Sequence, residues 1–239
     1  MTIDDNKYRE NATASMPRRA IEEARSAGLS LLPGPDGMSL TDGRMTVRDD
    51  FAHMIPRLKA SNLNREILVK AARIRGQRDR LTAVDATAGL GEDSLLLAAA
   101  GFEVLMFERN PVIATLLRDA LERAAAMPEL EAIVARMTLV EANSVTALHS
   151  LDEEPDVVLL DPMFPAKRKD AAVKKKLQLL QRLELPCDDE SALFDAALAA
   201  NPRKVIVKRP VKGPYLAGRA PSYSLSGKAV RYDCIALAR

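Results

Sequence analysis

The residues of this sequence best suited to chemistry are acids that close apolar runs beside glycine. Val84-Asp85-Ala86-Thr87-Ala88-Gly89-Leu90-Gly91 follows one such run, and Glu108 closes the next, 23 positions after Asp85. Glycines at a strand-to-helix turn allow tight turning and close approach of a ligand to the backbone. A carboxylate ending the neighbouring strand can accept hydrogen bonds from both hydroxyls of a ribose. The two together point to a nucleoside cofactor. Gly89, Gly91 and Ser94 come near the G-x-G-x-x-G spacing of dinucleotide-binding turns, so a nicotinamide cofactor stays open. However, Ser94 replaces the third glycine, and Glu92 and Asp93 stand where a pyrophosphate would sit. Negative charge there opposes a pyrophosphate and favours a sulfonium or an α-ammonium group. S-adenosylmethionine is therefore the cofactor expected. Asn143 and Ser144, after a third apolar run, are placed to border its adenine.

Asp161-Pro162-Met163-Phe164-Pro165 directly follows the apolar run Val157–Leu160. It resembles the D/N-P-P-Y/F loop of methyltransferases that act on exocyclic amino groups, with Met163 where a second proline is commoner. An aromatic amine is a poor nucleophile because its lone pair is delocalised. The Asp161 carboxylate and the Pro162 carbonyl can hold its two N–H groups and aim that lone pair, while Phe164 stacks on the base. Lys167, Arg168 and Lys169 come next, and Lys208-Arg209-Pro210 closes a fifth apolar run. In a parallel α/β sheet the strand C-termini face the ligand crevice, so these cations are expected to meet phosphates of a nucleic-acid substrate. The net charge is only +2, but from Asn201 to Arg231 there are eight Lys or Arg and no Asp or Glu.

Elements must bring these groups together. From Leu81 onward, apolar runs alternate with helical segments. Strands are expected at Leu81–Val84, Glu103–Phe107, Met137–Val140, Val157–Leu160 and Val205–Val207. A helix is expected over Asp93–Ala100, stopped by Gly101. Asn110-Pro111 starts another, with an N-cap side chain followed by proline in the first turn. Uninterrupted apolar strands separated by helices imply a parallel sheet covered on both faces. Ser222–Leu225 and Ala229–Leu237, around a Ser226-Gly227-Lys228 turn, read as a closing antiparallel hairpin. The expected class is α/β, a Rossmann-like class I methyltransferase with a mostly parallel seven-stranded sheet. Residues 1–60 read as a small N-terminal α+β element: a helix over Met16–Ala27, a hairpin from Leu29–Leu32 and Met38–Leu40, then Met45–Val47. The main domain is expected over 61–239, opening with a helix at 61–75.

Four motifs together resemble the ribosomal RNA small subunit methyltransferase J family, bacterial enzymes that make N2-methylguanosine in small-subunit ribosomal RNA. They are Asp85–Gly91, Glu108-Arg109-Asn110-Pro111, Asp161–Pro165 and Val207-Lys208-Arg209-Pro210. The resemblance runs from about residue 80 to the C-terminus. It implies cofactor contacts at Glu92 and Asp93, Glu108 and Arg109, Asn143 and Ser144, and Asp161. The family usually carries Arg at the position of Glu92 and Ser at that of Asn143. It also implies ribosomal RNA or the small ribosomal subunit as partner.

Three other readings remain open on residues alone: an adenine-N6 methyltransferase, a nicotinamide oxidoreductase and a non-catalytic RNA-binding module. At 239 residues and 47% hydrophobic the chain can bury a substantial core. Two cysteines, Cys187 and Cys234, argue against a disulfide scaffold. The first residues lack the apolar segment of a secretory signal, and no stretch reaches membrane-spanning length, so a cytoplasmic protein is expected. His53 and His149 lack partners at ligand spacing, and no metal site is expected.

Overall fold

A computed structural model describes residues 17–74, 76, 80–162, 175–183 and 189–237. The central sheet is built from β4 (Leu81–Asp85), β5 (Phe102–Glu108), β6 (Met137–Glu141), β7 (Val157–Leu160), β8 (Lys204–Pro210), β9 (Tyr223–Ser226) and β10 (Val230–Ala236). The spatial order is β6-β5-β4-β7-β8-β10-β9. The first five strands of that order run parallel, while β10 pairs antiparallel with both β8 and β9. This is the expected class I methyltransferase architecture. The chain builds outward from β4 to β6, then returns to place β7 on the other side of β4. The order reverses between β4 and β7, and the crevice of an open α/β sheet forms beyond the strand C-termini at such a point. Asp85 and Asp161 both lie there.

The strands are covered on both faces. All four residues of β7 are 0% exposed, which accounts for its unalternated apolar pattern. Val157 and Leu159 pack with Leu95, Leu96 and Leu97 of α5 (Glu92–Ala99) on one face. Val158 and Leu160 pack with Leu193, Phe194 and Ala197 of α10 (Glu190–Ala199) on the other. Gly101, at φ 98°, ends α5 as expected. Asn110 caps α6 (Pro111–Ala125), its Oδ1 accepting from the N–H groups of Val112 at 2.9 Å and Ile113 at 3.3 Å.

The N-terminal segment forms α1 (Arg18–Ser26) and a three-stranded antiparallel sheet of β1 (Ser30–Leu32), β2 (Ser39–Thr41) and β3 (Thr46–Arg48). The expected hairpin thus gains a third strand. Its apolar side, with Leu31, Leu40 and Val47, packs on Val112, Ile113 and Leu116 of α6. Residues 61–75 differ from the expected single helix. After α2 (Ile55–Leu58), two short helices, α3 (Ala60–Leu63) and α4 (Ile67–Ala72), are separated at Glu66, whose backbone is extended at ψ 130°. Glu66 reaches back to Arg57 with two hydrogen bonds of 2.8 and 2.9 Å. That pair, invisible to helical periodicity, accompanies the break. The remaining short helices are α7 (Glu131–Val134), α8 (Ser144–Ala147) and α9 (Lys175–Leu180).

Gly91 precedes α5 at φ 76°, and a Cβ built on it would stand 2.7 Å from Leu117 Cδ1 and 3.2 Å from the Phe51 ring. Gly91→Ala is therefore expected to destabilise the chain by roughly 2 kcal/mol, through backbone strain and overpacking. Denaturant unfolding checks this, and an unchanged midpoint would contradict it.

Candidate active site

The turn after β4 is braced by its own acid. Asp85 is 2% exposed, and its carboxylate accepts from the Ser94 hydroxyl at 2.6 Å and the Thr87 N–H at 3.1 Å. These bonds tie the strand end to the first turns of α5. Burial pushes the Asp85 pKa up to about 7, against the lowering effect of the Ser94 bond. A carboxylate this enclosed shapes the loop from within. The loop is open instead at Gly89, at φ 54°, where a built Cβ meets nothing nearer than the Thr87 carbonyl at 4.0 Å.

Glu108 closes β5 and is 9% exposed. One carboxylate oxygen accepts from the Gly89 N–H at 3.0 Å, the other from the Asn110 N–H at 2.7 Å. The acid therefore fixes the glycine loop against the start of α6. Burial raises its pKa, while backbone donors at Asn110, Gly89 and Arg109 pull it back. An ionised carboxylate offers about four acceptor positions, more than these backbone donors fill, so capacity remains for a ribose hydroxyl. Arg109 is exposed beside it. Asn143 is exposed and caps α8, its Oδ1 accepting from the Val145 N–H at 3.0 Å; Ser144 is buried.

Asp161 follows β7, and its N–H donates to Thr87 Oγ1 at 2.6 Å. Thr87 thus joins the glycine loop to the second loop. Sequence reasoning missed it, although it lies within the quoted motif. The Lys208 ammonium lies 2.7 Å from Asp93 Oδ2 and 2.9 Å from Asp161 Oδ2. It bridges the first turn of α5 and the end of β7. Burial pulls the Lys208 pKa down, but Asp93 and Asp161 together outweigh it and the net shift is upward. Burial raises the Asp161 pKa, with Lys208 the main opposing influence. Tyr232, opposite Lys208 across the β8–β10 pair, is buried and its phenol is held above its ordinary value, by burial first and then by Asp93. Glu92 lies 3.4 Å from His53 Nε2.

Two of the expected RNA contacts, Lys208 and Arg209, have partners within the chain. Lys208 faces inward between two carboxylates, so its charge is already balanced. Arg209 is 1% exposed, its Nε donating to the Pro214 carbonyl at 2.8 Å with Glu190 Oε1 3.5 Å away. Phe164, Lys167, Arg168 and Lys169 lie outside the described residues. Pro162 is buried behind Asp161. A groove of about 570 Å³ across β4, β5 and β6, lined by Arg80, Glu103, Arg136 and Thr138 among others, holds none of these groups. Among the described residues, no cluster of three or more His, Cys, Asp or Glu could hold a metal, and no helix is long and apolar enough to cross a membrane.

A family model described as "Putative SAM-dependent methyltransferase" matches residues 18–236. Ribosomal RNA small subunit methyltransferase J of Thioalkalivibrio sulfidiphilus is 42% identical over 227 residues, covering 92% of this chain and 85% of that protein. The protein of the same name from Alkalilimnicola ehrlichii is 45% identical, covering 87% of this chain and 76% of its own length. A crystal structure of a SAM-dependent methyltransferase from Neisseria gonorrhoeae superposes with a TM-score of 0.71 at 31% identity, covering 93% of each chain.

The raised Asp85 pKa has a defined consequence for stability. The folded chain keeps the Asp85 proton to about pH 7, whereas the unfolded chain loses it near the ordinary value of 3.8. The folded state binds more protons between those values, so this group makes stability fall as pH rises through that window. Asp85→Asn is expected to flatten that fall in melting temperature. Parallel wild-type and variant curves from pH 4 to 8 would contradict the assignment.

Proposed function

The chain belongs to the ribosomal RNA small subunit methyltransferase J family, within the SAM-dependent methyltransferases, and on that premise we propose that it methylates the exocyclic N2 of a guanine in small-subunit ribosomal RNA. S-adenosylmethionine supplies the methyl group. The observation that carries the reading is Asp161, fixed by Thr87 and Lys208 beside the glycine loop at the point where the strand order reverses.

The residues present fit an adenosylmethionine. Gly89 leaves an unfilled approach to the backbone, and Glu108 keeps acceptor capacity for ribose hydroxyls. Asn143 and Ser144 stand at the end of β6, beside Glu108, where the Ala142 N–H bonds the Glu108 carbonyl at 3.1 Å. Asp93 adds negative charge at the start of α5, suited to a cationic methionine portion. In this reading Arg109 lies at the cofactor's outer edge.

For the transferred group, the chain's task is orientation. Among the described residues Asp161 Oδ2 faces Lys208, which leaves Oδ1 as acceptor for one N–H of the target amine. The Pro162 carbonyl takes the other. Both bonds favour a pyramidal nitrogen whose lone pair points toward the donor. The Lys208 ammonium, 2.9 Å away, opposes the upward push of burial on the Asp161 carboxyl and so favours the ionised form that accepts a hydrogen bond. Positioning of this kind, together with electrostatics arranged in advance, accounts for the acceleration. A base within a helix must first be swung out of its stack, at a cost of roughly a few kcal/mol.

The test uses a labelled methyl donor and small ribosomal subunits from a strain lacking this activity. N2-methylguanosine is the expected labelled nucleoside; N6-methyladenosine, or no label in the RNA, would overturn the reading. Asp161→Ala should lower turnover by about a hundredfold or more while changing cofactor affinity far less. Near-normal turnover would remove Asp161 from its assigned role.

A further inference from the structure

The basic stretch 201–231 is less cationic in space than in sequence. Arg203 lies 3.4 Å from Asp156, and Lys204 donates to the carbonyls of Ala71 and Arg73 at 2.6 and 2.8 Å. Lys208 and Arg209 are paired as described. Arg219 meets Asp195 at 3.0 Å, and Arg231 meets Asp233 at 2.9 Å. Of the eight cations, only Lys212 and Lys228 have no hydrogen-bond or ion-pair partner among the described residues. Both are exposed, and they are neighbours: Lys212 sits in the loop after β8, Lys228 at the tip of the β9–β10 hairpin. The Val211 N–H donates to the Ala229 carbonyl at 3.3 Å, joining the two segments.

The loop itself is rigidly built from beneath. Arg231 is 8% exposed, and its guanidinium donates to the carbonyls of Pro210, Val211 and Gly213 at 3.2, 2.7 and 2.9 Å. Arg209 donates to the Pro214 carbonyl from the same side. Four carbonyls are thus turned inward onto two enclosed cations. The partial negative charge that a loop ordinarily shows to solvent is withdrawn, while Lys212 is left outside. Tyr215 completes the surface. It is 43% exposed, and the Arg231 guanidinium lies 5.1 Å from its ring centroid, a cation–π contact that fixes the ring. Val211, 36% exposed, lies beside it. Lys208, which touches Asp161, is three residues before Val211, or about 10 Å along a strand.

We propose that the loop 210–215, with Lys228, is the docking platform for the single-stranded RNA flanking the target nucleotide. Lys212 and Lys228 neutralise phosphates, and a neighbouring base stacks on Tyr215. Fixed aromatic rings beside a cationic track are how proteins hold unpaired strands without reading their sequence. A wholly electrostatic surface would not need a ring anchored by a buried guanidinium, and a protein-binding patch would not need its backbone oxygens withdrawn. The proposal rests on RNA as the substrate, but not on which base is methylated.

Binding of the full-length protein to a small-subunit RNA fragment, measured without cofactor over a range of salt, tests it. The Lys212→Gln/Lys228→Gln variant should bind more weakly, and its dependence of log K on log salt should be shallower by about one for each lysine removed. Tyr215→Ala should weaken binding roughly tenfold, whereas Tyr215→Phe should retain it. Thermal melting confirms that each variant is folded. Wild-type affinity and salt slope in the lysine variant, with no effect of Tyr215→Ala, would overturn the platform. Intact RNA binding with no methyl transfer by the wild-type protein would instead sink the proposed function and leave the platform standing.

Discussion

One ammonium group between two carboxylates organises this site. Asp93 arrives on the first turn of α5, Asp161 on the end of β7 and Lys208 on the end of β8. Two carboxylates held this close would repel each other, and a lysine enclosed by itself would lose its proton. Together the opposite charges offset one another at 2.7 and 2.9 Å. The arrangement ties the glycine loop to the strand ends on the far side of the sheet's reversal point, and Thr87 adds a neutral bond across the same gap. The Asp161 carboxylate that the proposed reaction uses as acceptor is thereby held in place by Lys208 and Thr87.

The rest of the site depends on a second set of enclosed acids, with different work to do. Asp85 braces the loop from inside, and Glu108 holds it from the neighbouring strand while retaining acceptor positions. Burial raises the pKa of both. The N-terminal sheet contributes indirectly. It packs on α6, the helix that starts beside Glu108, and Phe51 from the segment that follows closes over Gly91.

Much of this was legible in the sequence because it is local. Alternating apolar runs and helices, the Asn110-Pro111 start, the closing hairpin and the acids at strand ends each declare themselves within a few residues. What was not legible is long-range pairing. Helical spacing over 61–75 carried no sign that Glu66 reaches back to Arg57. A stretch of eight cations read as a phosphate-binding surface, but most of its charge is taken by acids and carbonyls distant in sequence, such as Asp156 and Asp93. The sequence shows the charge of Lys208 but not its partners, Asp93 and Asp161. The parallel register of Leu160 with Val207 would have put it beside Asp161, but that register becomes visible only once the strands are paired.

The most direct test of this account is a pH titration of Lys208 by NMR, using lysine labelled at the ε carbon and the Lys208→Met variant to assign the resonance. The account predicts that the Lys208 resonance stays at its charged position as pH passes the ordinary lysine value of 10.5. A Lys208 resonance that titrates at 10.5 or below would contradict the bridge on which the site is built.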